Sequence, residues 1–153
     1  DRSCMATIRL PTEFKEFLNL LNSGGVDYLV VGGYAVAFHG HPRATGDLDL
    51  WIATSPDNVA RVRRALGEFG FSKELVASAP LDVAGKVIRM GNPPLRIELL
   101  TSVSGVDFDA CHRRRETEIV DLVEIAFISL ADLRANKRAA GRAQDIADLE
   151  ELS

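Results

Sequence analysis

Three acidic side chains on two apolar segments mark where this 153-residue sequence could do chemistry. "DLDLWI" sets Asp47 and Asp49 two residues apart, and "LRIELL" carries Glu98 between Ile97 and Leu99. In an extended chain, residues two apart share a face. Asp47 and Asp49 therefore project together, while Leu48, Leu50 and Ile52 anchor the opposite face. On the second segment Ile97 and Leu99 point one way, Arg96 and Glu98 the other. If the two strands are neighbours with apolar sides aligned, Glu98 reaches the aspartates. Two unit charges ~5 Å apart repel by roughly 3 kcal/mol at an effective dielectric of 20. Three such groups either take up protons or bind a hard cation. Oxygen-only ligands with room for water and phosphate suit Mg²⁺ better than Zn²⁺. Two bound ions suit displacement at phosphorus.

A D-x-D pair by itself is a weak pattern, and Asp107 and Asp109 in "GVDFDA" form a second one. It follows a glycine and precedes a helix-like stretch, so it reads as turn and N-cap chemistry. The first pair has a different setting, because "VVGG" ends an apolar strand shortly before it. Gly32 and Gly33 let backbone N–H groups approach an anion at a helix start. A tight strand-to-helix turn without a ligand explains the same glycines. Neither G-x-x-x-x-G-K-[ST] nor G-x-G-x-x-G is present.

The elements around these residues follow from periodicity. Phe14, Phe17, Leu18 and Leu21 recur at helical spacing, with Pro11 suited to the first turn and Gly24-Gly25 as the stop. "DYLVVGG" reads as a buried strand, "GYAVAFHG" as a brief helix, "HPRATG" as a loop and "DLDLWIA" as a strand. Pro56 opens a helix capped by Thr54 or Ser55 and ended by Gly70. Residues 71–92 are ambiguous, with "GKVIRMG" a plausible strand. "LRIELL" is a clear strand, "VDFDACHRRR" a short helix and "EIVDLVEIAFI" one or two strands. The last segment, "SLADLRANKRAAGRAQDIADLEEL", is a pair of helices joined near Gly141. This order predicts one α/β (α+β) domain over residues 1–153, a mixed β-sheet covered by helices with a C-terminal helical segment. Met5 reads as the natural start, with residues 1–4 an extension.

A formal net charge of −4 and a pI of about 5.4 exclude wholesale coating of nucleic acid, but not a local basic groove. Cys4 and Cys111 show no ligand pattern and read as free thiols. No apolar run approaches the ~18 residues of a membrane span, and no secretory signal is visible. The expected location is the cytoplasm. His39 and His41 read as loop hydrogen-bonding groups, Arg113, Arg114 and Arg115 as a solvated helix face, and Trp51 as a packing residue.

Taken together, "VGGYAVAFHGHPRATGDLDLWI", "RIELL" and "KRAAGRAQDIADLEEL" resemble the minimal nucleotidyltransferases of the polymerase-β superfamily. Within them, the pattern is similar to the bacterial group that includes AbiEii/MenT-type toxins. The resemblance spans residues 28–152. It implies that Gly32 and Gly33 hold the triphosphate of an NTP, that Asp47 and Asp49 ligate Mg²⁺, and that Glu98 is the third carboxylate. Arg43 and Thr45 match the family's "R-x-[ST]-x-D-x-D" and would contact phosphate or orient the metal site. Lys137 and Arg142 match basic positions that contact nucleotide phosphates, with Asp145 and Asp148 orienting them. Two positions depart from the pattern: Tyr34 stands where many active transferases carry Ser, and Glu98 where Asp is commoner.

The implied reaction is attack of an acceptor hydroxyl on the α-phosphate of an NTP, with two Mg²⁺ ions and loss of pyrophosphate. The acceptor would be RNA such as a tRNA 3′ end, a protein side chain or a small alcohol, and a cognate antitoxin is an implied partner. The alternative is a nucleotidyltransferase-like domain that binds a nucleotide or protein without catalysis. A DxD-type glycosyltransferase fragment is a third reading, disfavoured because such enzymes usually need a longer chain.

Overall fold

The computed structural model describes residues 9–40, 46–92 and 94–152. Arg43, Thr45, His41 and Cys4 lie outside the described residues. The first helix, α1 (Thr12–Ser23), buries the four apolar residues whose spacing predicts it. Pro11 stands just ahead of it as the N-cap, with φ −52° and ψ 145°, and not inside the first turn as expected. Four consecutive buried residues form β1 (Tyr28–Val31), and α2 (Gly32–Phe38) begins with the next residue. β2 (Asp47–Ile52) follows, then α3 (Pro56–Phe69). Of the two candidate caps for α3, Ser55 is the one used: its Oγ accepts from the Asn58 N–H at 3.3 Å. Gly70, at φ +113°, closes this helix in the left-handed conformation that glycine tolerates.

The ambiguous stretch holds a short helix, α4 (Lys73–Ser78), capped by Ser72, and then β3 (Val87–Asn92). β4 (Leu95–Leu100), α5 (Phe108–Arg113), β5 (Glu116–Val120) and β6 (Val123–Phe127) come next. Asp107 caps α5 by accepting from the Ala110 N–H at 3.1 Å, as its D-x-D context suggested. Two helices, α6 (Leu130–Ala140) and α7 (Ala143–Glu151), end the described chain, with Gly141 between them.

The six strands form one mixed sheet in the order β3-β4-β2-β1-β6-β5. β2 runs antiparallel to β1 and parallel to β4, while β3/β4 and β5/β6 are antiparallel hairpins. This is the α+β architecture expected from the sequence. One face of the sheet buries Val30, Leu48, Leu50, Ile52, Ile97, Leu99 and Phe127 against Phe14, Phe17 and Leu21 of α1 and Val59, Val62 and Leu66 of α3. Each such fully buried side chain contributes about 1.5–3 kcal/mol. The other face carries a smaller core in which Leu29, Val31 and Trp51 meet Cys111, Leu133 and Leu152 from the α5–α7 layer. Trp51 packs edge-on to Phe108 with ring centres 5.1 Å apart, so its role is packing.

Other expected roles are met or refined. His39 Nε2 lies 2.8 Å from the Ile128 carbonyl oxygen, a loop hydrogen bond as expected. The arginine triplet is more than a solvated face: Arg114 donates to both Asp132 oxygens at 3.0 and 2.9 Å, pinning the end of α5 to the first turn of α6. No helix among the described residues is long and apolar enough to cross a membrane.

Candidate active site

Register brings the acidic residues together. β2 pairs with β4 so that Asp47 lies opposite Arg96 and Asp49 opposite Glu98, and β3 places Arg89 on the far side of Glu98. Residues opposite one another on adjacent strands share a face. All five side chains therefore project to the side of the sheet that holds Trp51, beyond the edge of the α5–α7 layer. On the other flank Val31 pairs with Asp49, which sets the turn from β1 into α2 directly against that carboxylate.

Gly32 occupies this contact with φ +68°. A Cβ there would overlap the Asp49 carboxylate, lying 3.0 Å from its Cγ and 3.1 Å from its Cβ. Conformation and space both demand glycine at this point. Gly46, just before β2, is demanded by space alone, because a Cβ would run into the Pro94 carbonyl. The result is a cleft of about 690 Å³ with Gly32, Asp47, Asp49 and Glu98 along its base. Lys86 and Arg89 line one side, Asn136, Lys137 and Arg142 the other. That volume lies within the roughly 300–1,000 Å³ typical of small-molecule sites.

The charges in the cleft are only partly reconciled. Burial, followed by repulsion from Glu98 and then Asp47, pushes the Asp49 carboxyl up to about 6, and Lys137 and Arg96 offset this only in part. Arg96 Nη2 donates to Asp47 Oδ2 at 3.1 Å and lies 3.7 Å from Glu98 Oε1. Arg89 Nε lies 3.6 Å from Glu98 Oε2. Arg96 thus stands on two of the three carboxylates. Among the described residues, no three His, Cys, Asp or Glu side chains are placed around a common point where a metal ion could sit.

The resemblance puts Lys137 and Arg142 on phosphate with Asp145 and Asp148 orienting them, and the structure pairs the two cations with those aspartates. Lys137 is buried, with Nζ 3.2 Å from Asp145 Oδ1 and 2.9 Å from Asp148 Oδ2. Arg142 Nε donates to Asp145 Oδ2 at 2.7 Å, although most of the side chain is exposed at the cleft rim. Burial alone would raise the Asp145 carboxyl, but hydrogen bonds from Arg142 and Lys137 outweigh it and hold the group below its usual range. The cluster ties α6 to α7 and closes one wall of the cleft. Tyr34 turns away into the main core, edge-on to Phe14 at 6.0 Å. Sequence reasoning missed Lys86, Arg89 and Asn136 as cleft residues. For Arg96 the signal was present, since its two-residue offset from Glu98 puts both on one face.

A family model described as "Nucleotidyl transferase of unknown function (DUF2204)" matches residues 11–153. The chain belongs to that nucleotidyltransferase family. Two solved structures share its fold. One is a candidate nucleotidyltransferase from Thermotoga maritima, 14% identical, with a TM-score of 0.63 over 90% of this chain and 88% of that one. The other is an antigenic nucleotidyltransferase-like protein from Paracoccidioides brasiliensis, 17% identical, with a TM-score of 0.52 over 91% of this chain and 73% of that one. No curated protein sequence matches the chain. Within this family fold, the cleft at Gly32, Asp47, Asp49 and Glu98 is the candidate active site.

Proposed function

We propose that this DUF2204 chain transfers a nucleoside monophosphate from an NTP to an acceptor hydroxyl, using Mg²⁺ held by Asp47, Asp49 and Glu98. The observation that carries the reading is the register of Asp49 with Glu98 on adjacent parallel strands, beside the glycine that opens α2. The three carboxylates are not gathered around one point, but their chemistry suits a hard divalent ion. The donors are carboxylate oxygens only, and Asp49 is raised by burial and then by like charge, which a cation would relieve. When bound, the metal supplies charge neutralisation at the reacting phosphate and its leaving group.

The chain's own residues do the rest. The turn at Gly32 leaves room for phosphate at the start of α2, and Lys86, Arg89 and the exposed arm of Arg142 offer cations along the cleft walls. The acceptor oxygen forms a bond to the α-phosphorus, the bridging α–β P–O bond breaks, and pyrophosphate departs. Glu98 takes the hydroxyl proton. Alignment and charge supply most of the rate, with no covalent enzyme intermediate. RNA, a protein side chain and a small alcohol are the acceptor classes to screen.

The test is transfer of label from α-labelled NTPs to total RNA and lysate, with Asp47→Asn plus Asp49→Asn as the control. Transfer that survives in the double variant removes this centre from the reaction. A toxin-type role of the AbiEii/MenT kind predicts growth arrest by the parent chain, relieved by the double variant or by an antitoxin. One observation favours a second reading, nucleotide binding without transfer: Arg96 holds Asp47 and Glu98 where an ion would compete. Stabilisation by Mg²⁺ and NTP together, without label transfer to any acceptor, would select that reading.

A further inference from the structure

We propose that Arg96 is the resident counterion of the carboxylate cluster, so that a divalent cation joins the site with the nucleotide's phosphates and not ahead of them. This rests on the reading above. Asp47, Asp49 and Glu98 bring three negative charges to one face of the sheet, and Arg96 and Arg89 place two positive charges within 4 Å of Asp47 and Glu98. With Asp49 ionised, the five side chains sum to a single negative charge. One divalent ion overshoots that balance and two overshoot it heavily. A triphosphate arriving with the ions restores it. In a partly desolvated cleft such imbalances set affinity.

Arg96 is the stronger of the two counterions. Its Nη2 serves Asp47 and Glu98 at once, at 3.1 and 3.7 Å, whereas Arg89 is largely exposed and reaches Glu98 only at 3.6 Å. Arg96 Nε is buried and makes no hydrogen bond among the described residues. The side chain is therefore placed for its charge at the expense of one donor, an arrangement that a purely structural strand tie would avoid. Such a tie is also redundant, because five registered pairs already join β2 to β4, and a partly exposed ion pair adds little to them. The carboxylate lone pairs that Arg96 engages are those an incoming ion needs.

The experiment measures Mn²⁺ binding by loss of the free-ion EPR signal, with and without a non-hydrolysable NTP analogue. Each reading is taken against a protein-free blank, because the analogue itself chelates Mn²⁺. The expected result is that Arg96→Gln binds Mn²⁺ alone tighter than the parent by on the order of tenfold or more. Arg96→Lys, which keeps the charge, stays near the parent, and Arg89→Gln shows a smaller gain. With the analogue present the parent's Mn²⁺ affinity rises and its gap to Arg96→Gln narrows. Arg96→Met repeats the measurement with the apolar stem retained, should the glutamine variant fold poorly. Equal or weaker Mn²⁺ binding by the neutral variants overturns the proposal, as does parent affinity indifferent to the analogue. If Asp47→Asn plus Asp49→Asn abolishes Mn²⁺ binding while the Arg96 variants match the parent, only the counterion role fails. If the double variant binds Mn²⁺ like the parent, the carboxylate centre fails with it.

Discussion

Asp49→Asn tests the site through the stability of the fold. Burial and two neighbouring carboxylates raise the Asp49 carboxyl from 3.8 to about 6. Between those values the folded chain keeps a proton that the unfolded chain releases, so stability falls as pH rises through this window. Below about pH 4 both states are protonated and nothing is lost; above about pH 6 the full penalty applies. A shift of roughly two units corresponds to about 3 kcal/mol at 1.36 kcal/mol per unit, reduced to about 2 by the partial exposure of the group. Asparagine keeps the shape and carries no charge. In metal-free buffer at pH 7.5, Asp49→Asn should therefore be more stable than the parent by about 2 kcal/mol, and at pH 4 the advantage should vanish. Urea denaturation at fixed ionic strength, with EDTA present, reads both values. Adding Mg²⁺ with an NTP analogue should then stabilise the parent and leave the variant unmoved. A variant less stable than the parent at pH 7.5, or a difference independent of pH, would refute the electrostatic reasoning.

Three further perturbations probe the same architecture. Gly32→Ala combines a left-handed φ with an overlap onto Asp49; it should cost about 1–2 kcal/mol from the backbone alone, and less in an Asp49→Ala background than in the parent, as a double-mutant cycle would show. Lys137→Met leaves the buried Asp145 and Asp148 without their shared cation; thermal denaturation should show a loss of about 3 kcal/mol. In the β5–β6 hairpin turn both Asp121 (φ +49°) and Leu122 (φ +70°) are left-handed, and Leu122 is exposed; Leu122→Gly should stabilise by about 1 kcal/mol in urea.

Much of the site was legible because a strand's period of two is visible in one dimension. Asp47, Asp49 and Glu98 alternate with apolar residues that can only face a core, and the register then sets Asp49 against Glu98. Gly32 was legible because an apolar strand does not end in two glycines without a turn or a close approach. The helix α4 was not, since none of its six residues is fully buried and they leave no periodic signal. Asp145 and Asp148 were expected to orient Lys137 and Arg142, but charge alone did not show that the pairing would bury Lys137. Gly141, at φ +65°, folds α7 back so that Asp145 and Asp148, one helical turn apart, both reach Lys137. Arg96 was visible as a neighbour of Glu98, but its grip on Asp47 depends on which strands are adjacent.

The two charged clusters of the cleft behave oppositely, and the contrast points to where a cation belongs. On the α6–α7 wall, Lys137 and Arg142 face Asp145 and Asp148, two charges against two, and the Asp145 carboxyl is held below its usual range. That cluster is electrostatically complete and tolerates burial. At the base, Arg96 and Arg89 stand within 4 Å of Asp47 and Glu98, Lys137 offsets Asp49 only in part, and the Asp49 carboxyl is pushed up. A fold selected for stability alone would have little reason to keep Asp49 there, since an amide fits the same space without repulsion. On the proposed reading, positive charge from outside the chain would resolve the imbalance, beside the point where Gly32 leaves the Asp49 carboxylate its space.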